Sequence, residues 1–394
     1  MTPRRRTSPV KEAPVHPIIV VPFESDTSPA LRSRLGHLDV PERWHAVDRS
    51  AHAPHIVAVP GDEDDATDWT GAALVSARPG TAYLKIVDAV GDVQAAVAAV
   101  VAHARDQGLA QVKWEGWTAS SEEAAAAGFT PLRAPLTPPD DATGPATSEA
   151  TGPGTGDTAG PATENATGPA TGYVRWLHDT MVSEPPYYGQ TTHFTCGAVT
   201  ALLALAHAGT LSTDALDRRA ELTLWRDATN FLACEPVGLG VAVRRAWPST
   251  PVTVHLDVDR PVMLDHLPDS EQEWRALLQR DSRTQAADIG VPVDARHLSL
   301  AAIRAALGRQ EHVLLLVSLA AMQGFDVPHW VLCHGVVPGA VVIEDPWASA
   351  AAGDTWVDAH LLPVADASLD EMATVSADRF RGAVSIGHVP GPSS

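Results

Sequence analysis

The stretch Pro185-Pro-Tyr-Tyr-Gly-Gln-Thr-Thr-His-Phe-Thr-Cys-Gly197 leads directly into an Ala- and Leu-rich segment that ends near Ala208. Thr195 is a residue type that commonly precedes a helix, so the sequence predicts a helix from Cys196 to Ala208. Cys196 would then lie in the first helical turn, where unpaired N–H groups and the helix dipole stabilise a thiolate. The glycine after it would leave the backbone beside the sulfur open. These features make Cys196 a candidate nucleophile.

A candidate base and its orienting group lie on a predicted hairpin further along the chain. The runs HWVLCHGVV (329–337) and AVVIED (340–345) flank Pro338-Gly339, which is a turn signal. His329 opens the first strand and Asp345 ends the second, so they are near neighbours at the open end, where a bulge would bring them into contact. Gln190 precedes Cys196 in the loop. Its amide and the Cys196 backbone N–H could together stabilise an oxyanion.

Each of these residues has a structural interpretation when it is taken alone. A lone cysteine at a helix start is usually a small buried residue, and a lone histidine that opens a strand usually supports the fold. The combination of Gln, Cys-Gly, His and Asp in one part of the chain favours chemistry. We interpret Cys234 and Cys333 as buried thiols. His334 lies five positions from His329 on a strand, which is not metal-ligand spacing, so neither a metal site nor a cofactor is expected.

A repetitive segment divides the chain. From Ala142 to Gly172 the sequence repeats ATGPATSE-like octets with Gly-Pro in a fixed phase, and it contains no aromatic residue and no Lys or Arg. Such a composition buries too little apolar surface to offset the entropy of ordering. We therefore expect a flexible linker at 135–172, a disordered N-terminus at 1–16, one module at 17–134 and a second at 173–394.

The two modules differ in their pattern of elements. The first alternates strand-like runs with helical ones, which is typical of an α/β module. The second has helices first and then strand-like runs around a hairpin, which predicts an α+β fold.

Composition limits the classes of function. The 394 residues carry a formal net charge of −20, which argues against binding nucleic acid. No apolar run approaches the length of a membrane span, so membrane insertion is not expected. Three cysteines cannot form a disulfide framework. These observations together predict a soluble, cytoplasmic protein.

The second module resembles a known family. Gln190-x5-Cys196-Gly197 with its Ala/Leu-rich helix, followed by His329-Trp-Val-Leu and Ile343-Glu-Asp345-Pro, is similar to the papain-like C39 peptidase family, and most of all to its soluble C39-like branch. The resemblance implies a papain-like fold with Cys196 as nucleophile, His329 as base, Asp345 as orienting group and Gln190 as oxyanion donor. It also implies a peptide or amide substrate.

The first module more weakly resembles a GNAT acyltransferase. Such enzymes hold the pyrophosphate of acyl-CoA on a Gly-rich loop before a helix, but here that junction reads Val90-Gly-Asp-Val-Gln94, with one glycine and a negative charge. We expect a degenerate, non-catalytic GNAT-like module, through which a protein partner could bind.

The sequence is compatible with three functions. The leading hypothesis is a cysteine peptidase or amidohydrolase that acts through an acyl-enzyme on Cys196. The same triad could serve an acyltransferase in which an amine, and not water, resolves the thioester. The third hypothesis is a catalytically inactive peptide-binding module.

Overall fold

The computed structural model describes residues 18–24, 29–61, 68–136, 169–180, 182–228, 233–265, 267–376 and 379–387. The predicted N-terminal tail at 1–16 and residues 137–168 of the predicted linker lie outside these ranges. Within them the chain forms two seven-stranded sheets with helices packed against both. None of the helices in the described part combines the length and apolar character that a membrane span needs.

The first sheet has the order β1-β2-β3-β4-β5-β7-β6. Its neighbours are antiparallel except for the parallel pair β4–β5, which helix α2 connects. One face of α2 is apolar and packs on this sheet, which gives the module its own core. The elements are β1 (Ile19–Pro22), α1 (Pro29–Leu35), β2 (His55–Pro60), β3 (Trp69–Ser76), β4 (Tyr83–Gly91), α2 (Val93–Asp106), β5 (Gln111–Glu115), α3 (Ser121–Ala126), β6 (Thr130–Pro131) and β7 (Gly172–Trp176).

Strand β7 corrects the boundary between the modules. We expected the second module to begin at residue 173, but β7 pairs with β5 and β6 and so completes the first sheet. Both ends of the predicted linker are also held in place. Leu136 donates its backbone N–H to the carbonyl of Tyr187 at 2.8 Å, and the carbonyl of Pro169 accepts from the indole of Trp356 at 2.9 Å. The chain therefore returns to the first sheet before it enters the second module.

The second sheet has the order β13-β12-β11-β10-β14-β8-β9 and lies between two layers of helices. The α+β class predicted for this part of the chain is the class observed. Its elements are α4 (Cys196–His207), α5 (Arg218–Ala228), α6 (Pro236–Ala246), β8 (Val252–Leu256), α7 (Asp269–Asp288), β9 (Val293–Asp294), α8 (Leu300–Gly308), β10 (His312–Ser318), α9 (Ala320–Gln323), β11 (Pro328–Val337), β12 (Ala340–Glu344), α10 (Trp356–Ala359), β13 (Leu362–Ala365), α11 (Asp366–Met372) and β14 (Gly382–Ile386).

Strand β10 shows why this sheet is covered on both faces. Its sequence HVLLLVS has no polar alternation, and six of its seven residues are buried. Leu314 and Leu316 face the core that contains α4 and α6, whereas Val313 and Leu315 face the core that contains α8. A strand that is apolar on both sides must be buried on both sides.

The two modules share an apolar cluster and backbone hydrogen bonds. Ala110 and Val174 of the first module pack with Val342 and Val357 of the second module. The turn between β3 and β4 also reaches β13, where the Ala82 N–H donates to the carbonyl of Pro363 at 2.8 Å. The first module thus lies against the edge of the second sheet that carries β12 and β13.

Candidate active site

The candidate nucleophile, Cys196, is the first residue of α4 and is only 7% exposed. The helix begins where the sequence predicts. Thr195 occupies the N-cap position, but its side chain makes no capping bond. Its hydroxyl instead donates to the buried carboxylate of Glu221. The side chain of Thr195 therefore accepts from none of the first-turn N–H groups of α4.

Gly197 has a different role from the one expected. We expected it to leave the backbone beside the sulfur open, but the residue is buried. A Cβ at this position would lie 3.0 Å from Cδ1 of Trp330 and 3.1 Å from Cβ of Cys234. The space beside Gly197 is therefore tight, because α4 packs closely against β11, the strand to which Trp330 belongs.

The candidate base and its orienting group are in direct contact. His329 Nε2 lies 2.7 Å from Asp345 Oδ1, and both residues are buried. Strands β11 and β12 pair regularly from the turn up to Gly335, after which the register shifts between Cys333 and Gly335. The bulge that the sequence analysis invoked is therefore present. It moves Asp345 toward the end of β11 where His329 lies.

The ring of His329 lies between a carboxylate and a thiol. Burial alone would lower the pKa of His329, but the charges of Asp345 and Cys196, which both also hydrogen-bond to the ring, raise it to about 10. Burial would likewise raise the pKa of Asp345, yet His329 and Arg78 lower it. The arrangement therefore favours an imidazolium beside the sulfur and an ionised carboxylate behind it.

Gln190 lies at the same end of the sheet. Its backbone N–H donates to the carbonyl of Pro346, the residue after Asp345, at 2.8 Å. Its Nε2 donates to the carbonyl of Thr192, also at 2.8 Å, so one N–H of the amide is engaged within its own loop. This bond uses one of the two N–H groups that the amide can donate.

Sequence reasoning missed Glu221, which fixes the loop before the cysteine. This fully buried carboxylate of α5 accepts from the hydroxyl of Tyr188 at 2.9 Å, and from the backbone N–H and hydroxyl of Thr191 at 2.8 and 2.9 Å. One signal was available, because Glu221 shares the buried face of α5 with Leu224 and Ala228 at helical spacing. An acidic residue on an apolar, buried face needs hydrogen-bond or ion-pair partners.

Sequence reasoning also missed Arg78, which comes from the first module. Its Nη1 lies 2.6 Å from Asp345 Oδ2, and its Nη2 lies 2.8 Å from Asp354 Oδ2. The side chain is fully buried. No local pattern could reveal this pair, since 267 positions separate its members.

The other two cysteines fit the interpretation as buried thiols. Burial raises the pKa of Cys333 to about 12, and it raises the pKa of Cys234 well above its ordinary value. His334 lies 3.2 Å from Glu344 and not at the candidate site. Within the described ranges no cluster of three or more His, Cys, Asp or Glu side chains is arranged to hold a metal ion.

The chain can now be compared with known families. A model described as "Peptidase_C39 like family" (DUF3335) matches residues 185–387, which is more than half of the chain and includes Gln190, Cys196, His329 and Asp345. The chain belongs to this family. Membership of the C39-like family suggests a cysteine peptidase.

This C39-like chain can also be compared with curated proteins and with solved structures. No curated protein matches it. A solved crystal structure, provisionally described as a C39-like peptidase from Bacillus anthracis, matches with 11% sequence identity and a TM-score of 0.29, over 53% of this chain and 96% of that chain.

Proposed function

We propose that the chain is a cysteine peptidase or amidohydrolase that cleaves a peptide or amide bond through an acyl-enzyme on Cys196. The observation that carries this proposal is the continuous contact from Cys196 through His329 to Asp345 in a C39-like chain. A thiol, an imidazole and a carboxylate in this order are the parts that nucleophilic acyl transfer needs.

The chemistry follows from the charges at the site. The Cys196 thiolate attacks the carbonyl carbon, and the carbonyl π electrons move to oxygen. The His329 imidazolium gives its proton to the leaving nitrogen as the C–N bond breaks, which leaves a thioester on the sulfur. Water then attacks the thioester while His329 accepts one of its protons, and the acid product and the thiolate are released. Asp345 holds the ring in the orientation that both proton transfers require.

We assign stabilisation of the oxyanion to two N–H groups. The backbone N–H of Cys196 belongs to the first turn of α4, which has no intrahelical acceptor for it. The amide of Gln190 is held at the end of β12 by its backbone bond to Pro346. Donors fixed before the reaction favour the tetrahedral intermediate over the flat carbonyl.

The proposal is tested by cleavage of a complex peptide mixture, read as new N-termini by mass spectrometry. Cys196→Ala and His329→Ala should each reduce the rate by more than about 1,000-fold, because triad members act as a unit. Cys333→Ala removes a buried thiol from β11 but leaves the triad intact, so it should retain cleavage. Full activity in Cys196→Ala would refute the nucleophile assignment. Absence of any cleavage by the wild-type chain would favour an inactive peptide-binding module.

Acyl transfer is the second candidate, and the burial of the site favours it. Cys196 is 7% exposed and His329 only 4%, which limits the access of water to a thioester. Addition of simple amines to the cleavage reaction separates the two outcomes. Aminolysis products that outnumber acids would indicate a transferase, whereas acids alone would indicate a hydrolase.

We further infer that the first module is a GNAT-like unit without acetyl-transfer activity. The parallel pair β4–β5 connected by α2 supports the likeness. The Asp92 carboxylate accepts from the N–H of Ala95 at 3.0 Å, so it already occupies the helix start where a phosphate would bind. Isothermal titration with acetyl-CoA should therefore show no binding, and clear binding would overturn this inference.

We also propose a cytoplasmic location. All three cysteines are free thiols, a state that a reducing compartment maintains. Thiol counting on protein isolated from fractionated cells tests this assignment.

A further inference from the structure

The turn between β3 and β4 reaches into the second module. Thr81 forms an antiparallel bridge with Val364 of β13, and Gly80 accepts the N–H of Ala365 at 3.1 Å. A side chain at Gly80 would meet Ser368 at 3.0 Å, and the residue has φ +75°, so the turn requires glycine on both grounds. These contacts fix the backbone of the turn and thus the position of Arg78, which it carries.

Arg78 completes the environment of the triad carboxylate. Asp345 Oδ1 accepts from His329 Nε2 at 2.7 Å and from the N–H of Trp347 at 2.9 Å. Its other oxygen, Oδ2, accepts from Arg78 Nη1 at 2.6 Å. Nη2 of the same guanidinium donates to Asp354 Oδ2 and to the carbonyl of Trp347. The carboxylate is therefore held on both oxygens, one by the second module and one by the first.

Two buried lysines of the first module also contact the second module. Lys85 of β4 pairs with Asp358 at 2.5 Å, and Lys113 of β5 donates to the carbonyls of Val357, Asp358 and His360. Lys85 also pairs with Glu115 of its own module at 2.8 Å, and the same carboxylate accepts from the hydroxyl of Thr355. Buried carboxylates without these cations would carry a large desolvation cost.

We propose that Arg78 is a positioning residue of the peptidase, through which the first module holds Asp345 in place for His329. This inference rests on the proposed function, since it concerns the same triad. The first module then acts as part of the peptidase site.

The expected effect of losing Arg78 has a definite sign. Without this cation the pKa of Asp345 rises and the field that favours the Cys196 thiolate weakens, so the thiolate–imidazolium pair forms only at higher pH. Asp354→Asn has the opposite effect, because it removes an anion that shares Arg78 with Asp345. The other ionisable groups that interact with Arg78 or its two carboxylates include His52, Tyr83, Lys85, Lys113, Tyr187, His329 and Asp358.

The test measures alkylation of Cys196 by iodoacetamide as a function of pH in the full chain, resolved by peptide mass spectrometry from Cys234 and Cys333. In Arg78→Met the acid limb of the Cys196 profile should move up by about one pH unit or more. Arg78→Lys keeps the charge and should restore most of the wild-type profile. Asp354→Asn should move the limb down.

Lys85→Met is the matched control. It deletes a buried cation from the same contact, but Lys85 pairs with Glu115 and Asp358 and not with Asp345, so the Cys196 profile should shift by much less than in Arg78→Met. Equal shifts in Arg78→Met and Lys85→Met would overturn the proposal, as would an unshifted Arg78→Met. If Arg78→Met does not fold, the alkylation profiles of Arg78→Lys and Asp354→Asn test the proposal. A shift of the Cys196 midpoint with the same sign in both variants would contradict it, and so would an unshifted midpoint in Asp354→Asn.

This experiment is independent of the substrate. The rate of alkylation depends on the state of the Cys196 sulfur and not on cleavage of a peptide. The result can therefore be interpreted even if the proposed function is wrong. Where cleavage is found, Arg78→Met should lower kcat with KM unchanged, because Arg78 acts through Asp345 and not on the bound peptide.

Discussion

At the scale of single residues, the neighbours of each cysteine separate Cys196 from the other two. Cys196 lies against the ring of His329, which Asp345 holds from the other side. Cys234 packs against Gly197, and Cys333 lies in an apolar cluster with β10 and α8. In the part of the chain that the structure describes, Cys196 alone combines a helix start with an imidazole.

His329 should make the stability of the fold depend on pH. Its folded pKa, raised to about 10, exceeds the unfolded value near 6.5, so its ion pair stabilises the fold fully below about pH 6.5 and is lost as the pH rises through about 10. Urea unfolding of wild type and His329→Gln should therefore give a stability gap that is largest near pH 6. His178→Gln, at an exposed ring, should give a small and constant gap. A gap for His329→Gln that widens toward pH 10 would be inconsistent with this ion pair.

Part of the site could be predicted from residue types and spacing alone. Cys196, His329 and Asp345 are predictable because local rules for a helix start and a hairpin place them. The roles of Arg78 and Glu221 are not predictable from the sequence, because their partners belong to other elements and local rules do not identify tertiary contacts. Thr195 illustrates the same limit, since its hydroxyl bonds to Glu221 and not to the helix that it precedes.

At the scale of elements, the hairpin β11–β12 determines the geometry of the base. Its turn is predictable from Pro338-Gly339, and Gly339 has φ +72° as that turn demands. The bulge beyond it depends on packing. Gly335 lies where a Cβ would meet Val182 at 2.8 Å, and Val182 belongs to the segment that leads to the cysteine loop. The segment before α4 and the shifted register therefore fit together.

The close contact of α4 with β11 predicts the effect of a single methyl group. Gly197→Ala would place a Cβ 3.0 Å from the ring of Trp330, so it should destabilise the fold by about 1–3 kcal/mol. Gly308→Ala is the matched control, because no atom lies within 4 Å of its Cβ, and it should be neutral or stabilise by about 0.4–1 kcal/mol. Equal effects in chemical denaturation would argue against the close packing at α4.

Glu221 predicts how the cysteine loop is held. Glu221→Gln replaces a carboxylate that accepts from Tyr188, Thr191 and Thr195 with an amide that cannot accept on both sides, so the free energy of unfolding should fall by about 1–3 kcal/mol. Hydrogen exchange should also accelerate at the Thr191 amide. Glu122→Gln, on an exposed turn of α3, should stay within about 0.5 kcal/mol of wild type. No change in either measurement for Glu221→Gln would show that the loop is held by other contacts.

At the scale of the whole molecule, two modules and a linker follow from composition, but their contact does not. The repeat at 142–172 predicts a division, because it has no aromatic residue and carries Gly-Pro in a fixed phase. The way that β7 returns to the first sheet depends on long-range pairing with β5 and β6. The contacts of the lysines on β4 and β5 with the second module are likewise not predictable from the local sequence.

The shared contact predicts that the modules unfold together. It combines backbone bonds at β13, an apolar cluster with members from both modules, and the pairs formed by Arg78, Lys85 and Lys113. Calorimetry on the full chain should therefore show one transition, and Lys85→Met should lower its midpoint. Two separated transitions in the wild-type chain would mean that the modules are energetically independent.

The most direct test of the central claim is to trap the acyl-enzyme. The wild-type chain is mixed with a peptide that it cleaves, and the reaction is quenched in acid. The tryptic peptide that contains Cys196 should then gain the mass of the acyl fragment. Cys196→Ala should carry no adduct, and Asp345→Asn should accumulate it more slowly than wild type. An adduct on another residue, or cleavage of the peptide by Cys196→Ala, would contradict the account.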